Sequence, residues 1–308
     1  MNAAQWYDVL RKWSLFLLPF IAPLTYFINA PFGRFSPSNS SNLPQSSILL
    51  VDGIKSWIFM ELISPITFIS SFLFSPLNHL PNFHPHLSPL TLPSSRPPLF
   101  LALLFLTHYL NRAIISPLRT PSRSKAHIIV PLSAVGFNLV NGFLMATYLS
   151  SPQARFYLRD AFRSIRFWSG VGLSVVGFVG NVLHDEILFD IRRKAAGVPS
   201  TTPSDTKTSP QKEHYAIPRG YLYTYISYPN YFCEWLEWLG FALASAPFPF
   251  PLSPSSSPYT ATFAPPWIFL LSEVLLMAPR ALKGHQWYKE KFGERYPRER
   301  RAVIPFLI

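Results

Sequence analysis

Apolar positions in this chain run together in long blocks instead of alternating, and seven such blocks stand out. They cover approximately Trp13–Ala30, Ser56–Pro76, Pro98–Ile115, Ile128–Leu149, Phe167–Phe189, Tyr228–Pro247 and Pro265–Ala278. A helix needs about 20 residues to cross the hydrocarbon core. The pattern therefore predicts an all-α, polytopic membrane bundle of about seven transmembrane helices. The third and seventh blocks are short and must borrow flanking residues or sit shielded inside the bundle. The first block also resembles a secretory signal ending near Ala30, but its apolar run is long for one and no soluble domain follows, so a helix is expected. Between the blocks Pro, Ser and Asn gather at Ser36–Ser47, Pro76–Pro98, Ala196–Pro210 and Ala246–Pro265. Much of the total of 32 prolines falls there, and these stretches read as irregular loops.

Composition supports the membrane class. Charged residues make up 14% of the chain, against about a quarter in soluble domains, too few to coat a water-exposed globule. The net charge of +12 raises the question of nucleic acid. The basic residues, however, form clusters between apolar blocks: Arg119, Arg123 and Lys125; Arg192, Arg193 and Lys194; and the tail from Arg280 to Arg301. No base-reading motif accompanies them, so no nucleic-acid partner is expected. Such clusters orient membrane proteins and suit an anionic cofactor. They place the third and fifth loops and the C-terminus in the cytoplasm. The fourth loop fits poorly, because Arg155, Arg159, Arg163 and Arg166 face only Asp160.

Several chemistries are excluded. The lone Cys233 allows neither an intrachain disulfide nor a multi-cysteine zinc site. His79, His84 and His86 lie close together, but prolines intervene and no carboxylate is near, so no metal site is expected. No G-x-G-x-x-G follows a strand, and Walker, H-E-x-x-H and G-x-S-x-G motifs are absent.

Ionisable residues inside apolar blocks cost about 2.5–3.5 kcal/mol on insertion scales and need a reason. Glu61 lies five residues into the second block, Asp185 late in the fifth, and Glu234 and Glu237 early in the sixth; Glu273 in the seventh has no motif to place it. Near block ends, interfacial placement explains such groups as well as function does; for Glu61 it explains less. Helical spacing aligns Asn181, Asp185 and Arg192 on one stripe, Asn230, Glu234 and Trp238 on another, Arg280, Gly284 and Tyr288 on a third, and His108 with Arg112 on a fourth. Polar stripes on apolar helices must face each other or a wet cavity. A polar site opening to the basic side is expected. Gly170, Gly172, Gly177 and Gly180 read as close-packing positions.

Three C-terminal blocks resemble the steroid 5α-reductase family (3-oxo-5α-steroid 4-dehydrogenases). They are G-N-V-L-H-D-E-I-L-F-D-I-R-R from Gly180 to Arg193, Y-A-I-P-R-G-Y-L-Y-T-Y-I-S-Y-P-N-Y-F-C-E-W-L-E-W-L-G from Tyr215 to Gly240, and H-Q-W-Y-K-E-K-F-G-E-R-Y-P-R-E-R-R-A-V-I-P-F-L-I from His285 to Ile308. Upstream, Met60-Glu61-Leu62 is similar to the family's Gln-Glu-Leu, and His108-Tyr109-Leu110-Asn111-Arg112 to its His-Tyr-x-x-Arg. The resemblance implies a seven-helix membrane fold, with residues 1–150 supplying substrate contacts and residues 151–308 the NADPH-binding helices. It implies NADPH as cofactor, an enone lipid such as a 3-oxo-Δ4-steroid as substrate, an endoplasmic reticulum membrane, and no obligate protein partner. Glu61 and Tyr109 are implied as the pair holding the substrate carbonyl. Arg112, Asn181, Asp185, Arg192, Tyr215, Asn230, Glu234, Arg280 and Tyr288 match the cofactor pocket. The chemistry agrees: conjugate reduction builds negative charge on the carbonyl oxygen, and a phenol aimed at it stabilises that charge. Glu61 either hydrogen-bonds the tyrosine or, protonated in apolar surroundings, donates directly. Arginine forks suit the phosphates.

Departures from the pattern bear on the substrate. Met60 replaces the family's Gln, Ala216 stands where some relatives carry a basic residue, and the loop before Tyr215 is lengthened. A trans-2-enoyl-CoA or polyprenol reductase shares the C-terminal blocks, although Glu234-x-x-Glu237-Trp238 with Glu61 and Tyr109 favours the steroid type. A non-catalytic lipid-binding protein and a small transporter are the alternatives from other classes.

Overall fold

The computed structural model describes residues 3–28, 31–36, 47–78, 96–196, 215–249 and 263–308. Its long elements are helices: α1 (Ala3–Phe27), α2 (Gly53–Phe74), α3 (Arg96–Leu110), α4 (Ile129–Leu149), the short α5 (Pro152–Leu158), α6 (Ile165–Ala196), α7 (Pro229–Ser245) and α8 (Pro265–Phe292). Two-residue strands β1 (Leu50–Val51) and β2 (Ala126–His127) pair antiparallel, Leu50 opposite His127. The protein is an all-α membrane protein, and each apolar block of the sequence lies on one long helix. Among the described residues, Gly53–Phe74, Arg96–Arg119, Ile129–Leu149 and Ile165–Ala195 are long and apolar enough to cross a membrane by length and composition. The other three fall short for visible reasons. Helix α7 has 17 residues, while α1 carries Asp8, Arg11 and Lys12, and α8 carries Glu273 and Arg280. The three-histidine cluster lies outside the described residues.

Local signals start the helices. The Asp52 carboxylate accepts from the amides of Ile54 at 2.9 Å and Lys55 at 2.8 Å, capping α2. Helices α5, α7 and α8 open with proline, whose missing N–H costs nothing in a first turn. Helix α3 continues through a π turn at Asn111–Ile115 to Arg119, so the third block needs no shielding to span. Such turns re-aim side chains and often mark functional positions; this one carries Arg112.

Helix α6 packs along α7, and α2 along α4. A Cβ on Gly177 would stand 2.3 Å from the Glu237 amide, and one on Gly240 2.4 Å from that of Ser174. Gly170 and Gly180 are similarly crowded, by Ala244 and by the Cys233 sulfur. Gly172 is a correction: no atom lies within 4 Å of a Cβ there, because a two-residue offset turns it to the opposite face. Phe68, Leu101, Phe105, Met145, Trp238 and Phe241 fill the core. On α2 the exposed stripe Phe59, Ile66 and Leu73 is apolar, as a lipid-facing side requires.

Candidate active site

Three of the intramembrane carboxylates, Glu61, Glu234 and Asp185, join one chain of hydrogen bonds and ion pairs, while Glu237 pairs separately with His108 Nδ1 at 2.9 Å. Beside the Trp57 ring, the Arg112 guanidinium places Nε 3.4 Å from Oε1 of Glu61 and its NH1 nitrogen 3.3 Å from Oε2 of Glu234. The Trp57 indole donates to the Arg112 carbonyl at 3.3 Å, tying α2 to the π turn. On α6, Asn181 Nδ2 donates to Glu234 Oε2 at 3.2 Å and to the Asn230 carbonyl at 3.1 Å. Asn230 Nδ2 in turn donates to Asp185 Oδ1 at 2.9 Å. Six predicted residues from four helices thus form one line: Glu61, Arg112, Glu234, Asn181, Asn230 and Asp185. Glu273 on α8 lies within electrostatic reach of Glu61, Arg112 and Glu234, which gives a place to a carboxylate the sequence left without one.

Tyr109 lies at one end of this arrangement, buried beside Phe105 and within electrostatic reach of Glu61. Its hydroxyl accepts from Asn141 Nδ2 at 3.1 Å, and the same amide lies 3.5 Å from Ser64 Oγ. One helical turn earlier, Asn138 donates to the Met60 carbonyl at 2.7 Å. Asn138 and Asn141 are functional candidates the sequence reading missed. Their signal was two carboxamides at i, i+3 in an apolar block. Asn141 also borders a cavity of about 360 Å³ between α1, α4 and α8, walled by Leu18, Phe137, Val140, Leu144, Ile268 and Phe269 among others. An apolar chamber therefore reaches the residue that holds the tyrosine.

Arginines gather at the other end. The Arg123 guanidinium lies 3.7 Å from the Trp57 ring centre, and Arg280 lies 3.6 Å from that of Phe32, whose ring neighbours Trp57 at 6.4 Å. Arg192 reaches the same loop as Arg123, donating to the Ser122 carbonyl at 3.3 Å. Desolvation first, then the Arg192 and Arg112 charges, pull the Arg123 pKa down to about 9. An anion beside it would relieve both penalties. The sequence marks Arg123 only as a member of a basic cluster that orients the chain and suits an anionic cofactor, because nothing in its spacing places it over Trp57; the β1–β2 pairing brings its loop there.

Tyr215 and Tyr288 have their described contacts elsewhere. Tyr215 meets Trp287 at 4.9 Å, with Lys291 5.1 Å from its ring centre. Tyr288 stacks on Tyr296 at 5.5 Å. Beside that stack, the Ser227 hydroxyl lies 2.6 Å from both His285 Nδ1 and the Tyr296 hydroxyl. Cys233 is a buried free thiol.

Comparison with known proteins identifies the family. The family model described as 3-oxo-5-alpha-steroid 4-dehydrogenase matches residues 124–252 and 258–308. An uncharacterised protein of Schizosaccharomyces pombe is 38% identical over 98% of this chain and 99% of its own length. A steroid 5-alpha-reductase of Gossypium hirsutum is 31% identical over 92% of this chain and 90% of its own. A 3-oxo-5-alpha-steroid 4-dehydrogenase 1 of Rattus norvegicus is 31% identical over 91% and 87%. With more than half its length matched by the model and relatives above 30% identity aligned nearly end to end, the chain belongs to the 3-oxo-5-alpha-steroid 4-dehydrogenase family and is an oxidoreductase of that type.

Proposed function

We propose that the protein reduces the carbon–carbon double bond of a membrane-borne enone, of the 3-oxo-Δ4-steroid class, using NADPH. One observation carries the reading: the hydroxyl of Tyr109 is held by Asn141, and Asn141 borders the apolar cavity. A fused-ring lipid needs an apolar chamber of a few hundred cubic ångströms with a few polar groups to orient it. The carbonyl of such a lipid is oriented by the Tyr109 hydroxyl.

The residues present fit an anionic dinucleotide. Asn230 Oδ1 and the Arg280 NH1 nitrogen are buried without a partner among the described residues, and buried polar groups are otherwise nearly always paired. A carboxamide oxygen suits an amide donor, and the Arg123, Arg192 and Arg280 group suits phosphates. NADPH, when bound, supplies the hydride that the β-carbon receives. Tyr109 donates to the carbonyl oxygen as charge builds there, Glu61 is fixed by Arg112, and the α-carbon takes a proton from water. Preorganised donors of this kind contribute about 10²–10³ in rate. The basic C-terminal end is read as cytoplasmic from the distribution of basic clusters, and the membrane as the endoplasmic reticulum from the family resemblance.

The test is product formation by membranes expressing the chain. NADPH is supplied with a 3-oxo-Δ4-steroid, a 2-enoyl-CoA and a polyprenol, with Glu61→Gln and Tyr109→Phe as controls. The expected result is saturation of the steroid ring bond, lost in both variants. Turnover of the acyl-CoA or polyprenol instead reassigns the substrate, and absence of NADPH binding overturns the reading.

A further inference from the structure

We infer that the segment joining α4 to α6 is a docking surface for anionic lipid headgroups. Both flanking helices are long and apolar enough to cross a membrane, so the chain between them lies where the apolar layer ends. Within it, Ser151 caps α5 by accepting from the Ala154 amide at 3.1 Å, and Ala154 and Leu158 are fully buried. The opposite side of the segment is apolar and uncovered: Phe156 is 71% exposed, Ile165 85%, Trp168 48% and Phe162 42%.

These side chains are held outward by a rigid frame. The Trp168 indole donates to the Phe162 carbonyl at 2.9 Å, and the two rings stack at 6.0 Å. Arg166 donates to the Ala246 carbonyl at 2.5 Å with its guanidinium 4.2 Å from the Phe248 ring centre, and Tyr157 donates to the same carbonyl at 3.3 Å. Exposed cations alternate with the exposed rings. Arg159 and Arg163 are open to solvent and Arg155 is half-buried, and the only acidic residue of the segment, Asp160, pairs with Arg159 at 3.1 Å. Water alone leaves the rings exposed, and the acyl layer alone strands the guanidinium groups. A headgroup layer accommodates both, and the excess of arginine selects an anionic one. This gives a partner to the fourth-loop charges that the orientation rule leaves over, and it does not depend on the reductase reading.

The full chain, reconstituted in phosphatidylcholine nanodiscs, tests this. Brominated phosphatidylglycerol or brominated phosphatidylcholine is added at equal mole fraction, and the Trp168 signal is isolated by subtracting a Trp168→Phe protein. One arginine near a charged surface enriches an anionic lipid about fivefold, so quenching by the anionic lipid should exceed that by the zwitterionic lipid severalfold. The excess should vanish in Arg155→Gln/Arg159→Gln/Arg163→Gln and persist in the corresponding triple lysine variant, which keeps charge and controls for folding. Equal quenching by both lipids in the parent protein, or none by either, overturns the proposal.

Discussion

The direction of one hydrogen bond yields the sharpest prediction. Tyr109 has a single hydroxyl proton, and Asn141 approaches the oxygen as a donor at 3.1 Å. The tyrosine oxygen therefore accepts from α4, beside the Ser64 hydroxyl, and its own proton is not spent on Asn141. Asn141→Asp preserves shape and volume but replaces the donor by a carboxylate, which accepts a hydrogen bond from the tyrosine hydroxyl. A hydrogen bond to a charged group contributes about 1.5–3 kcal/mol, and that bond must now break before Tyr109 can turn to the carbonyl. At 1.36 kcal/mol per tenfold in rate, kcat should fall about 10- to 150-fold. Asn141→Ala removes a neutral bond of about 1 kcal/mol and leaves the proton free, so its loss should be only about fivefold. Tyr109→Phe, which removes the donor altogether, should lose about 10²–10³. Single-turnover product formation at saturating NADPH, in membranes with matched protein levels, ranks the three. The reasoning fails if the isosteric aspartate is milder than the alanine, since size would then outweigh donor direction.

Arg123→Met should raise the KM for NADPH by about 10- to 100-fold with a small change in kcat, because a charge-assisted phosphate contact is lost far from the reacting carbon; steady-state kinetics separates the two. Gly284→Ala would set a Cβ 1.5 Å from the Tyr228 hydroxyl oxygen, and the overpacking should cost about 1–3 kcal/mol. It should appear as a lower melting temperature in detergent, only partly restored by adding Tyr228→Phe, whose ring edge still crowds the site. His285 has its pKa pulled down to about 4 by desolvation and then by Lys289, Arg300 and Arg301. The native state thus holds fewer protons there than the unfolded chain between about pH 6.5 and 4, so stability falls as pH drops through that window, and His285→Gln should flatten this slope in melts.

Much of this arrangement could be read from the chain, for a physical reason. Glu61, Asp185 and Glu234 were visible because a carboxylate in an apolar helix is costly, and each meets a partner on a neighbouring helix. Asn181 and Asn230 were visible because their i, i+4 spacing fixes them to the faces that meet between α6 and α7. Asn138 and Asn141 were not found, and Arg123 was not distinguished from its basic cluster. A carboxamide costs less than a charge in an apolar block, so two of them do not stand out. The position of Arg123 over Trp57 follows from a loop held by a two-residue ladder, which leaves no periodicity to read. Tyr215 and Tyr288 are matched to the cofactor pocket by motif alone, and their described contacts are with Trp287, Lys291, Phe292 and Tyr296.

Hydrogen-bonding capacity along the polar chain suggests why it has two ends. In its middle Glu234 receives Arg112 and Asn181, Glu61 receives Arg112, and Asp185 receives Asn230. Breaking one such buried contact strands a charge, at about 3–5 kcal/mol, so this part holds its geometry and is a poor place for a ligand to compete. Spare capacity lies at the extremities. At the cavity end it is the proton of a tyrosine whose oxygen is already engaged, which suits a neutral carbonyl. At the other end it is crowded guanidinium, together with an unpartnered carboxamide oxygen on Asn230, which suits an anion bearing an amide. One molecule does not readily satisfy both, but an uncharged enone and an anionic dinucleotide do so together. Arg112, which touches carboxylates from both sides, fixes one site relative to the other. Arg112→Met should therefore weaken binding of both ligands at once, measured separately by NADPH fluorescence and steroid titration, and a loss confined to one of them would show the two sites to be independently held.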